Sequence, residues 1–300
     1  MSHPFKILHK RKRLFLSFSA GKTSAYMTKL LREQYAQHWD EVVVGFANST
    51  QEHEKSLEYV RSCDEAYGFG TVWLEATINP QLGEGTGHRV ISFETATRNG
   101  SVFESMIEKY GLPNNQYFHC TRELKLAPIR SYLRSIGWAA NTYNTAIGIR
   151  HDEMDRMDVN AMEGGAFYPL IDLRVTKADV LAWDLTQPVR LGIPEHYGNC
   201  VWCWKKSFRK LATVATELPE AMRFPARCEV EHKDKGRGDG DRRFFRGRKT
   251  VPDIIAIAKE PGFQPYVDSH QYADEFLDTG MACGESCEIE VEGSNRSPSP

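Results

Sequence analysis

The stretch RLFLSFSAGKTSAYM occupies Arg13–Met27, and its reading decides the fold. Arg13–Phe18 is a short apolar run of the kind that forms a buried strand. Small and polar residues follow from Ser19 to Ser24. Apolar residues then recur at helical spacing through AYMTKLLREQYAQHW, Ala25–Trp39. Strand, small-residue turn and helix in succession open a βαβ unit. The turn itself is suited to an anion. Small side chains let the backbone bend so that its N–H groups converge, and the helix that follows adds its positive end. Ser19, Thr23 and Ser24 supply hydroxyls and Lys22 a charge. The Gly-to-Gly-Lys spacing of a Walker loop is absent. By residue chemistry alone, a simple helix N-cap reads equally well here.

The alternation continues outward. Glu41–Phe46 (EVVVGF) and Thr71–Ala76 (TVWLEA) read as buried strands, and Lys55–Tyr67 as a helix. Pro80–Asn99 is loop-rich. Ser101–Tyr110 and Glu123–Ile136 read as helices, Asn141–Ile149 as a strand, YPLIDL at Tyr168–Leu173 as strand-like, and Lys177–Leu185 as a helix. The expected fold class is α/β, a doubly wound, mainly parallel sheet. Beyond about Gly192 the alternation is lost. The expected organisation is a basic segment at 1–12, a nucleotide-binding α/β domain at 13–191, a cysteine-bearing region at 192–291 and a polar, disordered tail at 292–300.

Composition bounds the function. The 300 residues carry 41% hydrophobic and 26% charged residues, with 23 Gly and 14 Pro, an ordinary globular balance. No apolar run approaches the ~20 residues of a membrane span, and the start MSHPFKILHKRKR has no apolar signal core, so a cytoplasmic protein without membrane contact is expected. Net charge is −2, which names no partner. The segment His232–Lys249, HKDKGRGDGDRRFFRGRK, is strongly basic. It reads as a solvated loop or as a clamp for nucleic acid, with Phe244 and Phe245 as stacking faces. Seven cysteines in such a chain favour metal or redox chemistry over disulfides. Cys200-Val-Trp-Cys203 is a CxxC, a spacing that lets two sulfurs grip one metal or act as a redox dithiol. Cys63, inside a helix, reads as a core residue.

SFSAGKTS also resembles the pyrophosphate-binding loop of the ATP-pyrophosphatase superfamily, whose core is Ser-Gly-Gly-x-Asp-Ser. Ser19, Gly21 and Ser24 match, Ala20 stands for a Gly and Thr23 for the Asp. Four more segments are similar, in order, to the phosphoadenosine phosphosulfate (PAPS) reductase family. They are ANSTQE at Ala47–Glu52, CTRELKLAP at Cys120–Pro128, GIRHDEMDR at Gly148–Arg156 and YPLIDLRVTKADV at Tyr168–Val180. The resemblance covers roughly Arg13 to Lys206.

It implies that Ser17, Ser19, Ala20, Gly21, Lys22, Thr23 and Ser24, with Asn48 and Gly148, bind an adenine nucleotide, ATP or PAPS, and that Mg2+ would accompany ATP. It implies anion-clamping or catalytic roles for Lys125, Arg150 and Arg156. From spacing alone, Arg150 paired with Asp152 or Glu153, and Arg156 with Asp155, read as surface ion pairs. Members of the family hold a 4Fe–4S cluster on four cysteines. Cys120, Cys200 and Cys203 match best, with Cys287 or Cys283 as fourth, and zinc is the structural alternative. Cys283 is also the candidate catalytic thiol, since Cys283-Gly284 matches part of the reductases' Glu-Cys-Gly-x-His element. Two activities are implied. One is nucleotide-dependent sulfur transfer, with adenylation of an acceptor such as nucleic acid and a sulfur donor as partner. The other is adenylyl-sulfate reduction through a thiosulfonate, with a thiol protein as reductant. Thr23 in the Asp position keeps a third reading, a nucleotide-binding module without turnover.

Overall fold

The computed structural model describes residues 4–236 and 242–268. Cys283, Cys287 and the tail at 292–300 lie outside the described residues, as do 237–241 of the basic stretch. Six strands form one sheet: β1 Arg13–Ser17, β2 Glu41–Ala47, β3 Val72–Thr77, β4 Gly87–Ile91, β5 Tyr143–Ala146 and β6 Ala166–Phe167. Their order is β4-β3-β2-β1-β5-β6. All neighbours are parallel except β3 and β4. β1 is central, with Arg13 in register with Glu41 on one side and Tyr143 on the other. The chain winds from β1 toward β3, then returns to add β5 and β6 on the far side. Strand order therefore reverses at β1, where an open α/β sheet leaves a crevice outside its carboxyl ends.

The two faces are set by alternation along β1. Leu14 and Leu16 join Val44, Phe46, Met27, Leu57 and Val60 in one core. Phe15 points the other way, onto Leu74, Leu126, Ile129 and Leu133. Helices Lys22–Leu30 and Glu54–Tyr67 cover the first face, and Ala127–Ser135 the second. Cys63 is fully buried in the first core, as its position in a helix implies.

Among the elements that differ from the sequence reading are β4 and the YPLIDL segment. β4 lies within the loop-rich stretch. It is a short antiparallel edge strand with Val90 60% exposed, held by the Arg89 ion pair to the buried Glu75 rather than by apolar burial. YPLIDL is a helical turn, Pro169–Asp172, directly after β6. Pro169 lacks the N–H that a strand would use and its fixed φ suits a first helical turn.

A second apolar core unites Phe103, Met106, Leu112 and Leu124 with Trp202, Trp204, Leu211, Cys228, Phe244, Phe245 and Ile254. Helices Phe208–Glu217, Arg223–Glu231 and Val251–Ala258 belong to it. Phe244 and Phe245 are thus buried, Phe244 against Trp202, and offer no face for stacking bases. Arg242 covers Tyr117 at 3.9 Å and donates to the Tyr110 carbonyl, so residues 242–246 fold onto the body instead of forming a solvated loop. Hydrophobic residues won here because the flanking charges can reach water or carbonyls while the rings cannot. Among the described residues no helix is long and apolar enough to cross a membrane.

Two stability predictions follow from these contacts. A Cβ on Gly45 would stand 2.6 Å from the Phe15 ring, so Gly45→Ala should cost about 1–3 kcal/mol in denaturant unfolding. Glu195 is buried. Burial opposes its charge, but the ammonium groups of Lys210 and Lys177, 2.9 and 2.7 Å away, hold its carboxyl down to about 2. Its folded-state pKa is depressed, so its contribution is complete above the unfolded value of 4.5 and is lost as pH falls toward about 2. Glu195→Gln should flatten stability over that window; an unchanged slope would show that other carboxylates govern acid unfolding.

Candidate functional site

Three loops meet at the carboxyl ends of β1, β2 and β5. The first runs from Phe18 to Ser24. The Ser24 hydroxyl donates to the Gly21 carbonyl (3.0 Å) and accepts from the Ser19 amide and hydroxyl (both 3.1 Å), which folds the loop on itself ahead of the helix. Gly21 caps that helix without any side-chain cap, so the helix start relies on its surroundings. Ala20 sits in the left-handed region at φ 63°, a conformation that costs an L-residue about 1 kcal/mol and that glycine adopts freely. The resembled family has glycine there. Thr23 and Ser24 are buried, and Lys22 is half-buried.

The second loop is Asn48–Glu52. Asn48 is fully occupied in bracing it. Its amide donates to Glu75 (2.7 Å) and to the Thr97 carbonyl (2.9 Å), and its side-chain oxygen accepts from the Thr50 N–H. Thr50 is left-handed at φ 68°, a costly conformation for a β-branched residue. Glu52 accepts from the Ser49 N–H and hydroxyl and lines the cleft.

The third loop carries Gly148 and Arg150. A Cβ on Gly148 would make ordinary contact with Ser24, 3.5 Å away. Arg150 is 4% exposed, so it is no surface ion pair. Its guanidinium donates to the Thr23 hydroxyl (3.1 Å) and faces Asp152 (3.2 Å) and Glu153 (3.5 Å). Arg156 pairs with Glu153 at 2.6 Å, not with Asp155. Glu153 thus holds both arginines beside the phosphate-type loop.

A small cleft opens at the ends of β1 and β2, lined by Ser17, Ser19, Ala47, Glu52 and Lys125 among others. Lys125, half-buried, comes from the helical turn Arg122–Leu126 and lines the cleft.

The CxxC segment docks on the second loop. Glu52 and Cys200 form a backbone bridge, the Val201 N–H donates to the Gln51 carbonyl (3.0 Å), and the Trp202 indole N–H donates to the Gln51 side chain (2.6 Å). Buried Lys206 donates to the carbonyls of Cys200 and Val201, closing the tight turn from within. Cys120, Cys200 and Cys203 share one apolar cluster with Trp202, Trp204 and Phe118. Burial pushes the Cys200 thiol well above its ordinary range; the nearby Lys206 pulls it back, Glu52 and Cys120 raise it further, and Lys125 lowers it. These interactions place Cys200 beside Cys120, Lys125 and Glu52. Thiols are soft donors, but among the described residues these three are not a group whose ligand atoms all lie within 4.8 Å of one another, the reach of a single ion. The fourth candidates, Cys287 and Cys283, lie outside the described residues.

Gln51 and Lys206 shape the site, and neither was singled out in the sequence. Glu52 was visible inside ANSTQE, whereas nothing local reveals that Lys206 turns inward. Removing the Gln51 side chain leaves the Trp202 N–H without its acceptor, a loss of about 1–3 kcal/mol. Gln51→Ala should therefore speed alkylation of Cys200 in the reduced, metal-stripped protein by roughly ten- to hundred-fold, measured by peptide mass spectrometry. Equal rates would show that the seam does not guard the thiol.

No protein-family model matches the chain. Among solved structures, a phosphoadenylyl-sulfate (PAPS) reductase from Candida auris, in a phosphate complex, aligns with 59% of this chain and 73% of its own at 17% identity. The TM-score is 0.34, and a superposition this loose adds nothing to the sheet order above. The uncharacterized nin region protein ORF290 of Escherichia phage lambda is 33% identical over 279 residues, which span 91% of this chain and 94% of that one. With that identity along nearly the whole of both sequences, the chain belongs to the family of the lambda nin region protein ORF290.

Proposed function

We propose that the chain is an adenine-nucleotide-dependent sulfur-transfer enzyme of the PAPS-reductase type. The observation that supports this most is the backbone bridge that joins Glu52, which lines the cleft with Ser19, to Cys200, the first residue of the CxxC. A nucleotide site and a thiol site thereby share one mouth.

In this reading the nucleotide phosphates lie on the Ser19–Ser24 backbone and the start of helix Lys22–Leu30, where N–H groups and the helix dipole favour an anion. Thr23 accepts from Arg150, so a neutral hydroxyl stands beside the guanidinium where the resembled loop has a carboxylate. Lys125 in the cleft lining and Lys22 within the loop itself add positive charge. An acceptor oxygen attacks the α-phosphorus, the bond to the β-phosphate oxygen breaks, and pyrophosphate leaves. Sulfide-level sulfur, supplied by a donor, then attacks the activated acceptor carbon, the carbon–oxygen bond breaks, and AMP leaves. The exchange is redox-neutral. Cys120, Cys200 and Cys203 would hold a 4Fe–4S cluster or zinc, which would present the sulfur in a dry setting. Nucleic acid is the acceptor class we favour, since Arg248 is exposed and Arg243 and Lys249 are half-buried.

The contact between Arg150 and Thr23 also supports a second reading, in which nucleotide binds without cleavage. Labelled ATP incubated anaerobically with the protein, a sulfide donor and candidate acceptors separates the two. Release of AMP and pyrophosphate, reduced about 10²–10³-fold in Lys125→Ala, supports transfer. Tight binding with no release over hours overturns it in favour of the binding module. In parallel, anaerobically purified protein should be brown and lose its colour in Cys120→Ser, Cys200→Ser or Cys203→Ser while keeping it in Cys63→Ser. Colourless protein with stoichiometric zinc would replace the cluster by zinc.

A further inference from the structure

Away from the cleft, a second donor cluster joins two helices of the C-terminal core. Cys228 and His232 stand four residues apart at the end of helix Arg223–Glu231, so they lie on one face. Glu104, in the helix Ser101–Tyr110, approaches that face. The Cys228 sulfur, a ring nitrogen of His232 and a carboxylate oxygen of Glu104 all lie within 4.8 Å of one another. The three are of different chemical kinds, and each is a good ligand for a borderline cation.

We propose that Glu104, Cys228 and His232 form a binding site for a divalent transition-metal ion of the zinc class, which staples helix Ser101–Tyr110 to helix Arg223–Glu231. Three further observations support it. Cys228 is fully buried and the His232 side chain is 10% exposed, so water does not serve either one freely. The Nδ1 atom of His232 is buried without a hydrogen-bond partner, while Nε2 and the Glu104 carboxylate lie 3.0 Å apart. His232 therefore keeps a ring nitrogen that no described protein group uses, as do His151 and His196, but of the three only His232 has a thiol and a carboxylate within reach. Arg227 also forks the carboxylate, with Nη2 2.8 Å from Oε2, and fixes its orientation from outside as an outer partner of a ligand does.

Binding would be chemically simple. The thiol of Cys228 gives its proton to solvent and the thiolate takes the cation, neutral His232 gives a nitrogen lone pair, and Glu104 gives a carboxylate oxygen. Glu104 is the member nearest solvent, with its side chain 21% exposed, so water completes the coordination there. No oxidation state changes. The site is independent of the Cys120, Cys200 and Cys203 group, and its failure would leave the proposed function untouched.

Cobalt(II) alone, titrated anaerobically into the reduced, metal-stripped full chain, provides the test. It should give a thiolate-to-cobalt charge-transfer band and tetrahedral visible bands from this site. The same titration on Cys200→Ser separates it from the cleft thiols, because the Cys228 contribution should persist there. In His232→Ala and Glu104→Gln the cobalt affinity of this site should fall about 100-fold or more. Zinc should raise the unfolding temperature of the parent and of Cys200→Ser, and the rise in Cys200→Ser should vanish when His232→Ala is added to it. Cys228→Ser should remove the charge-transfer contribution. If that variant fails to fold, the two partly exposed positions decide the matter. Equal cobalt uptake and equal zinc stabilisation in parent, His232→Ala and Glu104→Gln would overturn the site, as would no uptake beyond the cleft cysteines.

Discussion

The seam between Gln51–Glu52 and Cys200–Trp202 is the constraint on which the rest of the site depends. A strand-like bridge and an indole hydrogen bond weld the C-terminal cysteine segment to the turn after β2. Without that seam the sheet would still present a loop at its switch point, and the helical core would still bury its tryptophans. The thiols would then have no fixed relation to the cleft. Backbone hydrogen bonds are well suited to this task because they set position without depending on solvent-exposed side chains. Lys206, buried under the turn, satisfies two carbonyls that would otherwise be costly to bury.

Backbone strain occurs here as well as at Asn141, Arg174 and Arg248. Ala20, Thr50 and Asn199 all adopt left-handed backbone, and each lies in a loop that shapes the cleft or leads into the CxxC. Residues of this kind hold such conformations only when their surroundings over-determine them. The surroundings are visible: Ser24 ties the first loop, Asn48 and Glu75 brace the second, and the docked CxxC follows Asn199. Stability elsewhere, in the two apolar faces of the sheet, offsets this local cost.

Electrostatics at the cleft are arranged in opposition. Arg150 and Arg156 converge on Glu153, and Arg150 reaches the phosphate-type loop through Thr23. Lys125 enters from the other side next to Glu52 and Cys200. The paired carboxylates keep buried guanidinium groups tolerable in the absence of a ligand, since an unpaired buried charge would be far more costly.

The sequence by itself determined the α/β class, the burial of the Arg13–Ser17 strand, the position of its loop and the core role of Cys63. Those features are local: an apolar run, small residues, helical periodicity and a buried helix position depend on near neighbours. The edge strand β4, the helical turn at Pro169 and the burial of Phe244 and Phe245 were not legible, because each depends on partners far along the chain. Arg150 shows the division most clearly. Its spacing to Asp152 and Glu153 suggested a surface pair, and those pairs exist, but only the tertiary fold could bury them against Thr23, 127 residues away. The meeting of Cys200 with Cys120 and Glu52 is of the same kind. Local sequence fixes how a segment prefers to turn, while the apolar packing of distant segments decides which turns come to face one another.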